Sequence, residues 1–162
     1  MYALDPLART LCFSDGKEGM AIIGNDWGNR CSDLSFSHDN LVSGIEVNKE
    51  AAIVDLGKPD DLRSRYGYED AVDGGTGFAS LHLAGNKIMV LKQDLKEPEF
   101  QPLQEGNKLF TVGPNANAPI KLGHIYLVRI TDKKDASFQQ LVKLMVIAYR
   151  PNESVTLRWE LL

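Results

Sequence analysis

A glycine-rich segment is the first place where this sequence could hold a ligand. It runs from Asp73 through Gly74 and Gly75 to Gly77, and consecutive backbone amides in such a loop can cradle an anion. A phosphate loop also needs a following helix and the lysine of the nucleotide signature. Residues 78–83 instead alternate as a strand, and the segment has no lysine. The pattern therefore predicts a flexible turn that opens a strand.

Acidic residues next to this segment suggest a metal, but their spacing does not support one. Glu69, Asp70 and Asp73 carry oxygens that Ca²⁺ accepts. A calcium loop also needs alternating ligands and a terminal glutamate, and both are missing. We therefore expect a solvated acidic turn.

The softer metal ligands are scattered along the chain. They are His38, His82, His124, Cys12 and Cys31, and no two of them have the close spacing typical of a zinc site. The sequence thus predicts no metal and no cofactor. The two cysteines permit one disulfide, but nothing indicates an oxidising compartment, so we expect both to be reduced.

No serine or cysteine has the sequence context of a catalytic nucleophile. The Gly-x-Ser-x-Gly elbow is absent. Ser80 and His82 share one face of a predicted strand, but no orienting acid can be named for them. We assign no catalytic residue from the sequence.

Trp27 differs from the core aromatics because it lies among turn-forming residues. A loop tryptophan flanked by amides and an acid can stack on a sugar ring or anchor a protein partner. Tyr66 and Tyr68, near Asp70 and Asp73, could extend such a surface. The alternative is that Trp27 covers the core as a lid. We take these five residues as the predicted ligand-binding set.

Charge is unevenly divided along the chain. Residues 1–81, the acidic half, carry 7 Lys/Arg against 14 Asp/Glu, while residues 82–162, the basic half, carry 11 against 8. The cations of the basic half are dispersed and do not alternate with aromatics, so nucleic acid is excluded as a partner. We expect the fold to mix the halves, with Lys87, Lys143 and Arg158 near early acids.

Length and composition predict a single β-rich domain over residues 1–162. A chain with 43% hydrophobic residues can bury a sizeable core. No apolar run is long enough for a membrane span. The first residues lack the basic opening and apolar stretch of an export signal. We expect a soluble protein, cytoplasmic by default and exported if a signal segment was removed.

Hydrophobic alternation and turn signals predict an all-β fold. Asp15-Gly16 and Gly85-Asn86 are typical hairpin turns, and each lies between short apolar runs. Turns recur at spacings of about ten residues, as in sandwiches and barrels. We therefore predict an antiparallel sandwich or barrel of about ten short strands.

Two segments depart from this pattern. A short helix is predicted near 59–66, because Pro59 suits the first helical position and Gly67 ends it. Residues 94–121 are rich in Pro, Gly and Asn, and only 109–112 is predicted there as a strand. We interpret that stretch as an irregular excursion over the domain.

Residues 137–149 fit both a helix and a strand. Apolar residues fall at helical spacing, and Ser137 with Gln140 resembles a capping box. The same segment also alternates with apolar residues on both faces, between predicted strands at 125–130 and 155–161. We favour a buried central strand because turn signals join it to those neighbours.

These observations favour a non-catalytic binding or assembly module that uses surface loops around Trp27 and residues 66–77. Its ligand would be an unknown protein or a carbohydrate. The alternative is a small hydrolase or isomerase whose acid and base, for example Asp73 and His82, meet only in the fold. A deep cavity with two titrating groups favours the enzyme, and a shallow aromatic patch favours the module.

Overall fold

In a computed structural model, most of the described residues lie in β-strands. The described residues are 1–2, 9–14, 32–46, 48–58, 81–85, 87–92, 99–103, 108–109 and 111–162. Their strands are β1 (Thr10–Leu11), β2 (Leu34–Ser37), β3 (Asn40–Ser43), β4 (Lys49–Gly57), β5 (Leu81–Ala84), β6 (Lys87–Lys92), β7 (Glu99–Pro102), β8 (Ala116–Pro119), β9 (Ile125–Asp132), β10 (Gln139–Arg150) and β11 (Ser154–Leu161). The predicted all-β class is confirmed, and the predicted helix near 59–66 lies outside the described residues.

The strands form three antiparallel sheets. Sheet A has the order β11-β10-β9-β4, sheet B the order β1-β2-β3-β8, and sheet C the order β5-β6-β7. Among the described strands, β4 and β8 are edge strands of sheets A and B. The pairing of β4 with β9 joins an early strand to a late one, from Lys49 opposite Asp132 to Gly57 opposite Ile125.

The ambiguous segment is a strand, as predicted. β10 lies between β9 and β11 and pairs with both, so its backbone groups serve the sheet ladder. Val142, Leu144 and Val146 are completely buried on one face, and Leu141 is buried in the cluster on the other. Burial on both faces explains why the segment lacks a polar side.

Sheet A carries a hydrophobic cluster on each face. The cluster that it shares with sheet B includes Phe13, Leu34, Phe36, Leu41, Tyr126, Val128, Val142 and Leu144. The opposite face of sheet A packs against Ile88, Leu103 and Leu109. Adjacent β4 residues belong to different clusters, Ala51 to the first and Ala52 to the second. Sheets A and B therefore share one hydrophobic cluster.

The excursion predicted at 94–121 contains more strand than the sequence indicated. β7 and β8 both lie within it, and each ends at a proline, where the missing amide is tolerated. The strand predicted at 109–112 is wrong, since the described residues of that segment form no ladder. Gly113 alone pairs there, with Ala51.

The fold mixes the two charged halves in part. Among the described residues, three lysine–carboxylate pairs cross between the halves: Lys121–Asp55 at 2.8 Å, Lys133–Glu50 at 3.1 Å and Lys49–Asp132 at 3.1 Å. Lys143, expected near an early acid, pairs with Glu160 of its own half at 3.2 Å. Strand neighbours decide these pairs, because β10 lies beside β11 and not beside β4.

The expectation of reduced cysteines is wrong for Cys12, which is disulfide-bonded. The only other cysteine in the sequence is Cys31. Cys12 follows β1 and is buried, and the Ser14 hydroxyl donates to its sulfur at 2.8 Å. Counting cysteines could not predict the bond, because the distance between them is set by tertiary structure.

Candidate functional site

The five residues chosen from the sequence, Trp27, Tyr66, Tyr68, Asp70 and Asp73, all lie outside the described residues. Their grouping into one surface stays a prediction. The same holds for the pairing of Asp73 with His82 that an enzyme would use. His82 itself lies in β5, opposite Met89 of β6.

A groove of about 500 Å³ runs along the outer edge of β4. Residues 51–55 of β4 form one wall, and residues 113–117, up to the start of β8, form another. Lys108 and Thr111 complete the lining. The groove therefore lies between the adjacent edges of sheets A and B.

The groove exists because a strand ladder stops after one residue pair. The Ala51 amide donates to the Gly113 carbonyl and the Gly113 amide donates to the Ala51 carbonyl, both at 2.9 Å. The chain before Gly113 then leaves β4, and the Thr111 amide donates to the Lys108 carbonyl at 3.4 Å instead. The space where the ladder would have continued is the groove.

The backbone groups of Ile53 and Asp55 point into this space. Along an antiparallel strand, successive residues direct their N–H and C=O groups to opposite sides. Ala51 uses its groups toward Gly113, so Ile53 and Asp55 face the same way, while Ala52 and Val54 face β9. Within the described part of the chain, no hydrogen-bond partner meets Ile53 or Asp55 on that side.

Asp55 lies at one end of the groove in a polar cluster. Its Oδ1 lies 2.8 Å from His124 Nδ1 and accepts from the Gly57 amide at 2.9 Å. Its Oδ2 accepts from Lys121 Nζ at 2.8 Å. The β4–β9 register shifts between Asp55 and Gly57, and this bulge lets the amide reach back to the carboxylate. The regular β4 ladder thus ends at the cluster.

These hydrogen bonds keep Asp55 ionised. Burial by itself raises the pKa of its carboxyl, but the hydrogen bonds from Lys121, His124 and the Gly57 amide outweigh burial, and the net pKa is lowered. Both carboxylate oxygens are already occupied in the folded protein. Asp55 therefore acts as a structural anion at the groove's end.

Tyr126 holds the turn that supplies the cations of this cluster. Its hydroxyl accepts from the Lys121 amide at 2.9 Å and donates to the Pro119 carbonyl at 2.8 Å. Burial, with a further contribution from Asp55, raises the pKa of Tyr126 to about 12, so the hydroxyl stays a donor. The ring is completely buried in the cluster that sheet A shares with sheet B. The turn that carries Lys121 and His124 is thereby fixed over the end of β4.

Lys108 supplies a positive charge to the groove. Its side chain is exposed, and no carboxylate in the described part of the chain lies within ion-pair distance of it. The charge of Asp55 is offset by Lys121. The groove thus offers an incoming ligand one cation that has no partner of its own among these residues.

Sequence reasoning missed this site for an identifiable reason. In the sequence, Asp55 follows the apolar run 52–54 without the pattern of a known site, and His124 is one of three scattered histidines. Their contact spans 69 positions of the chain. A signal was present, since a carboxylate inside an otherwise buried strand needs a hydrogen-bonding partner.

In the described ranges no group of three or more His, Cys, Asp or Glu side chains is placed to bind a metal. No helix in the same part of the structure is long and apolar enough to cross a membrane. Comparison with protein-family models, with curated proteins and with solved structures finds no match for this chain. The function must therefore be argued from the groove itself.

Proposed function

We propose that the chain is a binding module that holds a partner in the groove beside β4. The observation that carries the proposal is a concave site of about 500 Å³ along β4, where no described residue pairs with the backbone of Ile53 and Asp55 on the groove side. Edge strands left open are pairing templates that proteins usually cover. A strand edge that forms one wall of a groove therefore supports the binding of a partner there.

The residues at the two ends of the groove support the same function, because the protein's own hydrogen bonds hold them in place. The reciprocal bonds of Ala51 and Gly113 fix one end. Asp55, Lys121 and Tyr126 fix the other through hydrogen bonds of 2.8 to 2.9 Å. A pre-formed site loses less conformational entropy when a partner binds.

An acid–base function of the Asp55–His124 pair is the second candidate. The 2.8 Å contact at Nδ1 favours it, because a carboxylate there orients the imidazole and leaves Nε2 for proton transfer. No described serine, threonine or cysteine side chain is hydrogen-bonded to His124. Such an enzyme would therefore have to activate water or a group of the substrate.

Amide NMR spectra of the full chain test the binding function. We would add hexapeptide pools in one series and cellohexaose in another, and expect chemical-shift changes concentrated at residues 51–55 and 113–117. Lys108→Glu should alter the response, whereas Lys134→Glu, on the exposed β9–β10 turn, is the matched control. Absence of shifts at β4 with every ligand would count against the proposal.

Turnover of an ester or amide that His124→Gln abolishes would establish the second candidate instead.

We also infer that the chain works in an oxidising compartment, because Cys12 is disulfide-bonded. Disulfides persist in such compartments and are rare where thiols are kept reduced. Recovery of the bond from the native host, with thiols trapped by alkylation at lysis, tests this inference.

A further inference from the structure

We propose that the partner in the groove is an extended polypeptide segment with an acidic side chain, which adds as a strand to β4 at Ile53 and Asp55. This inference rests on the proposed binding function and specifies its ligand class and binding mode. The acidic side chain would face Lys108.

The free backbone groups carry the choice of a polypeptide. Ile53 and Asp55 each direct an N–H and a C=O into the groove, and residues two apart on a strand repeat at about 7 Å. An antiparallel strand presents acceptors and donors at the same repeat, which is how edge strands recognise extended peptides. A sugar ring has no such period along its length.

The chain already shows the pairing that a partner would continue. Gly113 bonds to Ala51 in antiparallel geometry, with both hydrogen bonds at 2.9 Å. The wall from Ala51 to Asp55 spans about 13 Å, enough for a short strand. A partner segment would occupy the path that the chain leaves before Gly113.

The bulge after Asp55 limits the length of that ladder. The β4 register shifts between Asp55 and Gly57, and the Asp55 carboxylate is bonded to Lys121 and His124. Bulges and inward-pointing charges are devices that prevent unlimited edge pairing. Within the described ranges, the edge is thus open at Ile53 and Asp55 and closed after them, as a specific site for one segment requires.

Charge complementarity favours an acidic segment. Asp55 is ionised, and Lys121 offsets its charge within the polar cluster. The hydrogen bonds of that cluster lower the pKa of the Asp55 carboxyl. Lys108 remains as the groove's cation, with no carboxylate of the described chain to pair with. A glutamate or aspartate on the incoming strand supplies the missing partner.

The test uses the full chain and two pools of capped hexapeptides. One pool has glutamate at the third position and valine, threonine or serine elsewhere, and the other has lysine at that position. We expect the glutamate pool to bind about tenfold more tightly than the lysine pool, and to slow hydrogen exchange of the Ile53 amide about tenfold. Exchange of Val54, whose amide faces β9, should not change.

Variants separate strand addition from other modes of binding. Ile53→Pro removes the amide that the partner needs, and proline is tolerated where that amide faces away from the ladder. Binding should be lost, while Ile53→Val should retain it. If Ile53→Pro does not fold, Lys108→Glu decides, because it should reverse the preference toward the lysine pool.

Four outcomes would overturn the inference. Peptide binding without protection of the Ile53 amide would exclude strand addition. Chemical-shift changes at β4 with cellohexaose and none with either peptide pool would exclude a peptide ligand, while the binding function would still hold. The absence of shift changes with any ligand would exclude both the peptide ligand and the binding function. Protection of Ile53 that rises with protein concentration alone would make a second copy of the chain the occupant.

Discussion

Asp55 Oδ1 and His124 Nδ1 lie 2.8 Å apart although 69 positions of the chain separate the two residues. The β4–β9 pairing places Asp55 opposite Tyr126, which brings the turn before β9 to the end of β4. Lys121, on the same turn, binds the other oxygen of Asp55. One carboxylate therefore fastens an edge strand of sheet A to the turn beside the groove.

Asp55→Asn should remove a pH-dependent part of the stability. The folded pKa of Asp55 is lowered, so its contribution is present above the unfolded pKa of about 3.9 and is lost as pH falls through the folded value. We expect a loss of roughly 1–3 kcal/mol in the free energy of unfolding at pH 7, as for hydrogen bonds to charged groups. Urea melts from pH 7 to pH 2 should show the gap between the two proteins narrowing. A gap of constant size would contradict the role given to the charge, and Glu153→Gln, on the exposed turn between β10 and β11, is the control.

Tyr126→Phe should destabilise the fold by about 1–3 kcal/mol, because two hydrogen bonds in the turn at 119–121 lose their partner. Tyr149→Phe is the matched control. Among the described residues, that hydroxyl bonds to Asp39 alone, on the exposed β2–β3 turn, so its loss should cost less. Denaturant melts measure both, and equal losses would show that the Tyr126 hydroxyl does not fix the turn.

Gly44→Ala should be more damaging than Gly123→Ala. Both glycines have a positive φ, 72° and 79°, where an alanine costs about 1–2 kcal/mol. At Gly44 the new Cβ would also lie 2.9 Å from the Ala51 amide nitrogen, whereas at Gly123 it would meet no atom within 4 Å. We expect an additional loss of roughly 1–3 kcal/mol at Gly44. Similar urea midpoints for the two variants would rule out this close approach.

Trp159→Ala should cost about 3 kcal/mol, at the lower end for large aromatic truncations, since the side chain is half-buried. Its ring lies 5.3 Å from that of Phe13 at an interplanar angle of 60°. A double-mutant cycle between the two should give a coupling of about 0.5–1.5 kcal/mol. Leu161→Ala, on the same strand but 45% exposed, is the control and should cost less. We expect Trp27→Ala to cost much less than Trp159→Ala, because the sequence places Trp27 among turn-forming residues.

Alkylation and intact-mass measurement test the cysteine state. Under denaturing conditions without a reductant we expect no label on either of the two cysteines. Both should become labelled after reduction. Two labels on the unreduced protein would show that Cys12 is a free thiol, and would remove the argument for an oxidising compartment.

Strand content and turn positions were readable from sequence because they depend on local chemistry. The turn between β2 and β3 contains His38 and Asp39 at φ 45° and 61°, next to an asparagine, and such residues tolerate that region of backbone space. β10 was identified because a run that is apolar on both faces and flanked by turns is typical of a buried strand. In each case the deciding residues are neighbours in the chain.

The groove, the polar cluster and the disulfide state of Cys12 were decided by tertiary structure alone. Nothing near Asp55 in sequence indicates His124, and nothing near Ala51 indicates that Gly113 pairs with it for a single residue. Which strands become neighbours depends on how two hydrophobic clusters are filled on either face of one sheet. The sequence by itself determined the all-β class and individual strands such as β10, because these depend on residues that are neighbours in the chain. The order of the strands in the sheets, set by long-range packing, determined where an edge remained open.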